Sequence, residues 1–201
     1  MVLFGVTGGI GSGKSVVCGF LKKNGIPILE ADPLAKKLTN TSPEIRKAMI
    51  SEFGPDIYAQ DGDLNKETLR QLVFSNSATR QRVNQIVHPH VFDWIQKEAE
   101  RLDHEEQVKL VGVEAALVYE SGMEKMLDVV VVVDAPVDKR VRWIQRRNQL
   151  SEEEIRKRLA SQMPAEEKKK LADYVIVNDG TLKDLEKKVV DLLEWLSERA
   201  E

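Results

Sequence analysis

The chain has 201 residues, of which 42% are hydrophobic, so it is long enough to bury a sizeable core as one compact unit with modest insertions. Its formal net charge of -3 excludes a global basic field and gives no reason to expect nucleic acid or anionic lipid as a partner. The single cysteine, Cys18, cannot form an internal disulfide, which is typical of the reducing cytoplasm. No segment approaches the roughly 20 apolar residues of a membrane-spanning helix.

A phosphate-binding motif lies near the start of the chain. Residues 8–15 read GGIGSGKS and match the pattern G-x-x-x-x-G-K-[ST] at every fixed position. A buried strand is predicted over residues 2–6 and a helix over residues 16–23, which gives the strand–loop–helix context that the motif requires. Backbone N–H groups of such a loop surround phosphate oxygens, Lys14 reaches the outer phosphates, and Ser15 is placed to ligate Mg²⁺. We therefore predict a nucleoside triphosphate site.

Acidic residues follow the second predicted strand, residues 26–29. This strand ends in Glu30-Ala31-Asp32. Because ligands of open parallel α/β sheets bind at the carboxyl ends of the strands, we expect Asp32 to face the nucleotide. Asp32 also precedes Pro33, a pattern typical of a helix N-cap. One carboxylate can serve both roles.

Residues 33–103 have helical apolar spacing and few strand signals, which indicates a helical insertion between two strands. Insertions of this kind usually bind a second substrate. Helix stops are expected near Ser42-Pro43, Phe53-Gly54-Pro55, Asp61-Gly62-Asp63 and His88-Pro89. His88 is either a polar group of the substrate site or a structural cap, and we expect His90 and His104 to be surface residues.

Two further strands are predicted, over residues 108–113 and 129–133. Glu114 ends the first, and a carboxylate there, or Glu120 shortly after, can hold Mg²⁺ directly or through water. The second is a run of valines, which indicates a strand buried on both faces near the centre of the sheet. The alternation of strands and helices predicts a parallel sheet.

A basic helix is predicted over residues 136–147, and Ser151 with Glu154 forms a capping box that begins the next helix. The basic helix has three interpretations: a solvated face, a nucleic-acid patch, or part of a lid whose arginines close over the triphosphate. We favour the lid and name Arg142 and Arg146, which lie one helical turn apart on one face.

The fifth strand is predicted over residues 172–178, and the last helix begins at Thr181. Asn178 is either a contact to the base or ribose or a turn-forming residue. Six residues of the last helix share one face, which we interpret as core packing: Leu182, Leu185, Val189, Leu192, Leu193 and Leu196.

These elements predict an α/β phosphate-loop NTPase with a parallel five-stranded sheet flanked by helices. The nucleotide-binding core comprises residues 1–32, 108–136 and 172–201. Residues 33–107 form the helical substrate-binding domain, and residues 137–171 form a helical lid.

Several motifs, in order along essentially the whole chain, resemble the dephospho-coenzyme A kinase family. They are the loop variant at residues 6–15, Ala31-Asp32, Phe53-Gly54, Val73-Phe74, His88-Pro89, Arg142 with Arg146, Gln162, and residues 172–176 with Asn178. The chain departs from the family pattern at Glu30 (usually Asp), Val16 (Thr), Ala116 (Pro) and Lys66 (Arg). The ammonium group of Lys66 cannot form the pair of parallel hydrogen bonds that a planar guanidinium makes with a phosphate or carboxylate.

The resemblance implies transfer of the ATP γ-phosphoryl group, with Mg²⁺, to the ribose 3′-hydroxyl of dephospho-coenzyme A in the cytoplasm. It implies catalytic roles for Asp32, Lys14 and Arg146. Substrate contacts are implied for Asp32, Lys66, His88 and Glu114, and a metal contact for Ser15. Contacts to ATP are implied for Gly9, Gly11, Ser12, Gly13, Lys14, Ser15, Val16, Arg142, Arg146 and Asn178.

Two alternatives follow from the same loop. Another small-molecule or nucleotide kinase is possible on this scaffold, because one fold supports many substrates. The other alternative is a GTP-dependent switch protein. The sequence has no D-x-x-G motif, and residues 65–68, NKET, match only the first two positions of the guanine-binding motif N-K-x-D. Oligomeric state has no signature in the sequence.

Overall fold

The structure is a computed structural model that describes residues 1–75, 77–148, 151–160 and 162–200. Five strands form one sheet in the order β2-β3-β1-β4-β5, and every neighbouring pair is parallel. The strands are β1 (Val2–Thr7), β2 (Ile28–Glu30), β3 (Leu110–Glu114), β4 (Val129–Asp134) and β5 (Tyr174–Val177). The predicted α/β fold is confirmed, and the valine strand lies next to the central strand as expected.

The chain divides into two compact units, Met1–Glu30 with Ala99–Glu201, and Ala31–Glu98. The first unit holds the sheet and the predicted lid segment. Among the residues described, no helix is long and apolar enough to cross a membrane. The helices are α1 (Lys14–Lys23), α2 (Ala31–Thr41), α3 (Pro43–Phe53), α4 (Lys66–Ser75), α5 (Ser77–Glu106), α6 (Val118–Ser121), α7 (Val137–Asn148), α8 (Glu152–Ala160), α9 (Ala165–Leu171) and α10 (Leu182–Ser197).

The core of the first unit lies between the sheet and the helices α1 and α10. The last helix begins with a capping box in which Thr181 and Asp184 bond each other's backbone N–H groups. Its apolar face is buried at Leu185, Val189, Leu192 and Leu196. The prediction that Leu182 also packs in this core is wrong, because its side chain is 67% exposed.

The second unit is helical, as predicted. Ser42 caps α3, with its side chain accepting a bond from Ile45 N–H at 3.3 Å. Gly54 follows the last residue of α3 with φ of 84°, a conformation that favours glycine. These two predicted helix boundaries are therefore confirmed.

The predicted helix stop at His88-Pro89 is wrong, because α5 continues from Ser77 to Glu106 with Pro89 inside it. A proline within a helix removes one backbone hydrogen bond. Val87, Val91 and Ile95 lie four residues apart across this point, and each is at most 6% exposed. Burial of this apolar stripe on both sides of the proline keeps the helix continuous.

Candidate active site

The phosphate loop joins β1, the central strand, to α1. Gly13 is the N-cap of α1 with φ of 101°, which lies in the left-handed region that favours glycine. A Cβ atom at Gly13 would lie 2.4 Å from Nδ2 of Asn178. That amide nitrogen donates to the carbonyl oxygen of Ser12 at 3.0 Å. Asn178 is buried, and its hydrogen bond to Ser12 supports the loop directly. It also lines the cavity described below.

Lys14 and Ser15 occupy the first two positions of α1. The Lys14 ammonium donates to the carbonyl oxygen of Gly8 at 2.8 Å. The Ser15 hydroxyl donates to Oε1 of Glu114 at 2.8 Å. Glu114 is the last residue of β3 and pairs with Val6 of β1, so strand register places this carboxylate beside the loop. The structure thus brings together Ser15 and Glu114, which the sequence placed separately.

Cys18 lies one turn further along α1 and is 1% exposed. Burial raises the pKa of its thiol well above the ordinary range, and the neighbouring Glu114 carboxylate raises it further. The thiol therefore stays protonated and is a poor nucleophile.

The oxygen atoms of Ser15 and Glu114 match the hard ligands that Mg²⁺ prefers. Within the described parts of the chain, no three His, Cys, Asp or Glu side chains are grouped so that they could hold a metal ion by themselves. Mg²⁺ is commonly bound by one or two protein carboxylates together with substrate phosphates and water.

A cavity of about 520 Å³ lies beside the phosphate loop, within the range of small-molecule sites. Trp143 and Ile144 of α7 line it, together with Leu182, the first residue of α10. Leu182 therefore lines this cavity instead of packing in the core. The other lining residues are Ile10, Gly11, Gly13, Lys14, Ser15, Val16, Asn178, Gly180 and Thr181.

The arginines of α7 differ sharply in environment. Arg142 and Arg146, which the sequence favoured, are exposed, and Nε of Arg142 donates to the carbonyl of Asp138 in its own helix at 3.2 Å. Arg140 is only 6% exposed and donates from Nε to the carbonyl of Ile10 at 2.9 Å. The sequence analysis missed this role of Arg140. The available signal was its position four residues before Ile144, on the buried side of the helix.

The second unit carries Asp32, His88 and Lys66. Asp32 is exposed and is the second residue of α2, so the interpretation of Asp32 as the N-cap is wrong. His88 lies inside α5, so its interpretation as a cap is also wrong. Burial lowers the pKa of His88, and the Asp32 carboxylate opposes this shift, which places these two side chains within electrostatic range. Lys66 is the exposed first residue of α4.

A parallel sheet with a phosphate loop after its central strand, an adjoining serine–glutamate pair and a nucleotide-sized cavity together define a phosphate-loop kinase. The family model for dephospho-CoA kinase matches residues 2–184. The chain belongs to the dephospho-CoA kinase family, and it is an ATP-dependent kinase.

The chain is also similar to individual proteins over nearly its whole length. A dephospho-CoA kinase of Salinibacter ruber is 42% identical over 192 residues, covering 96% of each chain. A crystal structure from Thermus thermophilus superposes with a TM-score of 0.81 at 36% identity, covering 97% of both chains. The structure of a dephospho-CoA kinase from Campylobacter jejuni superposes with a TM-score of 0.72 at 27% identity. The match covers 99% of this chain and 98% of the Campylobacter chain.

Proposed function

We propose that the protein transfers the γ-phosphoryl group of ATP to the ribose 3′-hydroxyl of dephospho-coenzyme A, giving coenzyme A and ADP. The observation that carries this proposal is the 2.8 Å bond between Ser15 and Glu114 beside a phosphate loop, in a chain of this family. The pair offers a hydroxyl and a carboxylate where a kinase must hold Mg²⁺ and phosphates.

The loop binds the triphosphate through its backbone N–H groups and the N-terminus of α1. Lys14, which contacts loop carbonyl oxygens, exchanges these partners for the outer phosphates. The apolar walls of the cavity, from Trp143, Ile144 and Leu182, suit the adenine base. The ATP contacts that we propose are Gly9, Gly11, Ser12, Gly13, Lys14, Ser15, Val16 and Asn178, with Arg142 and Arg146 joining from the lid.

Ser15 and Glu114 are the residues that would hold Mg²⁺. An ion held there would supply positive charge that offsets the negative charge developing during transfer. The Ser15 hydroxyl would offer a neutral oxygen and Glu114 a carboxylate, either directly or through water. The sequence left Glu114 and Glu120 as alternatives for Mg²⁺, and we propose Glu114 because it bonds to Ser15, whereas Glu120 contacts Lys168.

Asp32 is the proposed general base. It accepts the proton of the 3′-hydroxyl while the hydroxyl oxygen bonds to the γ-phosphorus and the bond from that phosphorus to the β-phosphate bridging oxygen breaks. ADP leaves with the electron pair of that bond. His88 remains neutral near pH 7, because burial lowers its pKa, and it can donate one hydrogen bond to the acceptor. Lys66 is a proposed contact of dephospho-coenzyme A and offers it a positive charge.

Arg146, with Arg142 in support, closes over the transferring group. Both guanidinium groups are exposed on one face of α7, so they can reorient without breaking core packing. A cation placed there acts on charge that is greater in the transition state than in the bound substrates.

We propose three parts with these roles: residues 1–32, 108–136 and 172–201 for the nucleotide, residues 33–107 for the acceptor, and residues 137–171 as the lid. Net charge of -3 supports a small-molecule acceptor over nucleic acid. The single buried cysteine supports a cytoplasmic location.

An acceptor panel tests the proposal. ADP release from Mg-ATP is measured by a coupled assay with dephospho-coenzyme A, with nucleoside monophosphates and without acceptor. We expect release that depends on dephospho-coenzyme A. Faster release with a nucleoside monophosphate would instead support a nucleotide kinase, and release that requires GTP without any acceptor would support a switch protein.

A further inference from the structure

Ile10 lies in the phosphate loop. Both its backbone N–H and its backbone carbonyl are hydrogen-bonded to residues of the segment that follows β4. Its N–H donates to Oε1 of Gln162 at 2.9 Å. Its carbonyl oxygen accepts from Nε of Arg140 at 2.9 Å. The Ile10 side chain packs against the cluster of Val141, Ile144 and Ile155, together with Leu159. The backbone and side chain of one loop residue are therefore fixed by α7, α8 and Gln162, which lies between α8 and α9.

Arg140 has little freedom to move independently of the loop. Its guanidinium is so close to Gly9 that a Cβ atom there would lie 2.1 Å from one terminal nitrogen. Burial lowers the Arg140 pKa, and Asp134 at the end of β4 opposes the shift. A buried cation of this kind requires fixed acceptors. The Ile10 carbonyl is one of them.

Gln162 is anchored through its neighbours to α6 and to the residues between β3 and α6. The backbone N–H of Met163 donates to Oε1 of Glu120 at 3.0 Å. Lys168 of α9 is fully buried and contacts the same carboxylate at 2.9 Å, and its ammonium donates to the carbonyl of Ala116 at 3.1 Å. The amide of Gln162 thus extends from a fixed point to the loop.

We propose that Arg140 and Gln162 are positioning residues that act through the Ile10 peptide to set the shape of the phosphate loop. Gln162 turns the Ile10 N–H toward the lid, so the phosphate cradle is formed by the N–H groups that follow in the chain. Arg140 fixes the opposite end of the same peptide. The inference rests on the proposed function only in that this loop binds the phosphates of ATP.

The test compares Gln162→Met, which keeps side-chain length but removes the acceptor, with Arg140→Met and the double variant. ADP affinity is measured by calorimetry without an acceptor substrate. We expect each single variant to bind ADP about tenfold more weakly, the size of one hydrogen bond. The double variant should be within about threefold of the weaker single variant, because the peptide is released once either partner is lost. A multiplied loss of about 100-fold would overturn the proposal, since the two residues would then act independently.

Two controls separate positioning from charge and from general stability. Lys157→Met removes a cation from an exposed side chain of α8 and should leave ADP affinity unchanged. Arg140→Lys keeps the charge but loses the directed Nε donor, so it should remain impaired; full recovery would show that charge alone matters. If Arg140→Met does not fold, Gln162→Met decides: unchanged ADP affinity in this variant would refute the role of Gln162. None of these measurements depends on which acceptor the enzyme phosphorylates.

Discussion

Asp32→Asn tests the proposed general base, because asparagine keeps the size of the side chain but cannot accept the proton. General-base assistance contributes about 10² to 10⁴ in rate. We expect turnover with saturating ATP and dephospho-coenzyme A to fall by about that factor. The affinity for ADP should stay near that of the wild type, because the nucleotide phosphates bind to the loop.

The structure also sets the expected cost in stability. Asp32 is exposed in the first turn of α2, where a negative charge interacts favourably with the helix dipole by about 0.3–1 kcal/mol. For a chain of this size, 1 kcal/mol corresponds to about 2–4 °C in Tm. The melting temperature should therefore fall by at most about 4 °C. Loss of the Asp32 charge should also lower the pKa of His88 further, because this carboxylate raises it in the wild type.

Turnover is measured by coupled ADP release, melting by calorimetry, and the His88 pKa by NMR titration. Glu44→Gln is the matched control, since it removes a carboxylate from the first turn of α3 in the same unit. It should retain full turnover. Full turnover in Asp32→Asn would refute the assignment of Asp32 as the general base. An equal loss of turnover in Asp32→Asn and Glu44→Gln would show that removing any negative charge from this unit has the same effect.

Lys14→Ala should abolish turnover with little change in Tm, because the loop glycines and not the lysine shape the turn; an unfolded variant would contradict this. Arg146→Ala should lower kcat on the order of 10³-fold while ATP affinity changes much less, and equal losses measured by kinetics and calorimetry would indicate a ground-state contact only. Gly13→Ala should lower the free energy of unfolding, measured with denaturant, by about 1–2 kcal/mol, and it should weaken ADP binding. The reasons are that φ is 101° and that the new Cβ would contact Asn178. Unchanged stability and affinity would contradict the loop geometry. His88 has a lowered pKa in the fold, so its contribution to stability is present above the unfolded pKa of about 6.5 and is lost as pH falls below it. His88→Gln should remove that part of the pH dependence of unfolding.

The features that local chemistry determines could be predicted from the sequence. The phosphate motif, the buried valine strand and the capping box at Ser151 each depend on residues a few positions apart, and the structure has all three. Ser151 N–H donates to the Glu154 carboxylate at 2.9 Å, and Glu154 N–H donates to the Ser151 hydroxyl at 3.2 Å. Short-range patterns carry this information because their partners are neighbours in the chain.

The features that the sequence analysis missed depend on distant partners. The buried state of Arg140 follows from the carbonyl of Ile10, 130 residues away. Leu182 continues the apolar stripe of α10, but it is exposed and lines the cavity beside the loop. Pro89 is tolerated in α5 because tertiary burial outweighs the lost backbone hydrogen bond.

The most direct test of the central claim is the identity of the phosphorylated product. The reaction of Mg-ATP with dephospho-coenzyme A is followed by ³¹P NMR. We predict a new phosphomonoester coupled to the ribose 3′ position, formed in equal amount to ADP and lost in Lys14→Ala. Release of inorganic phosphate without a new ester, or an ester at another position, would contradict the account.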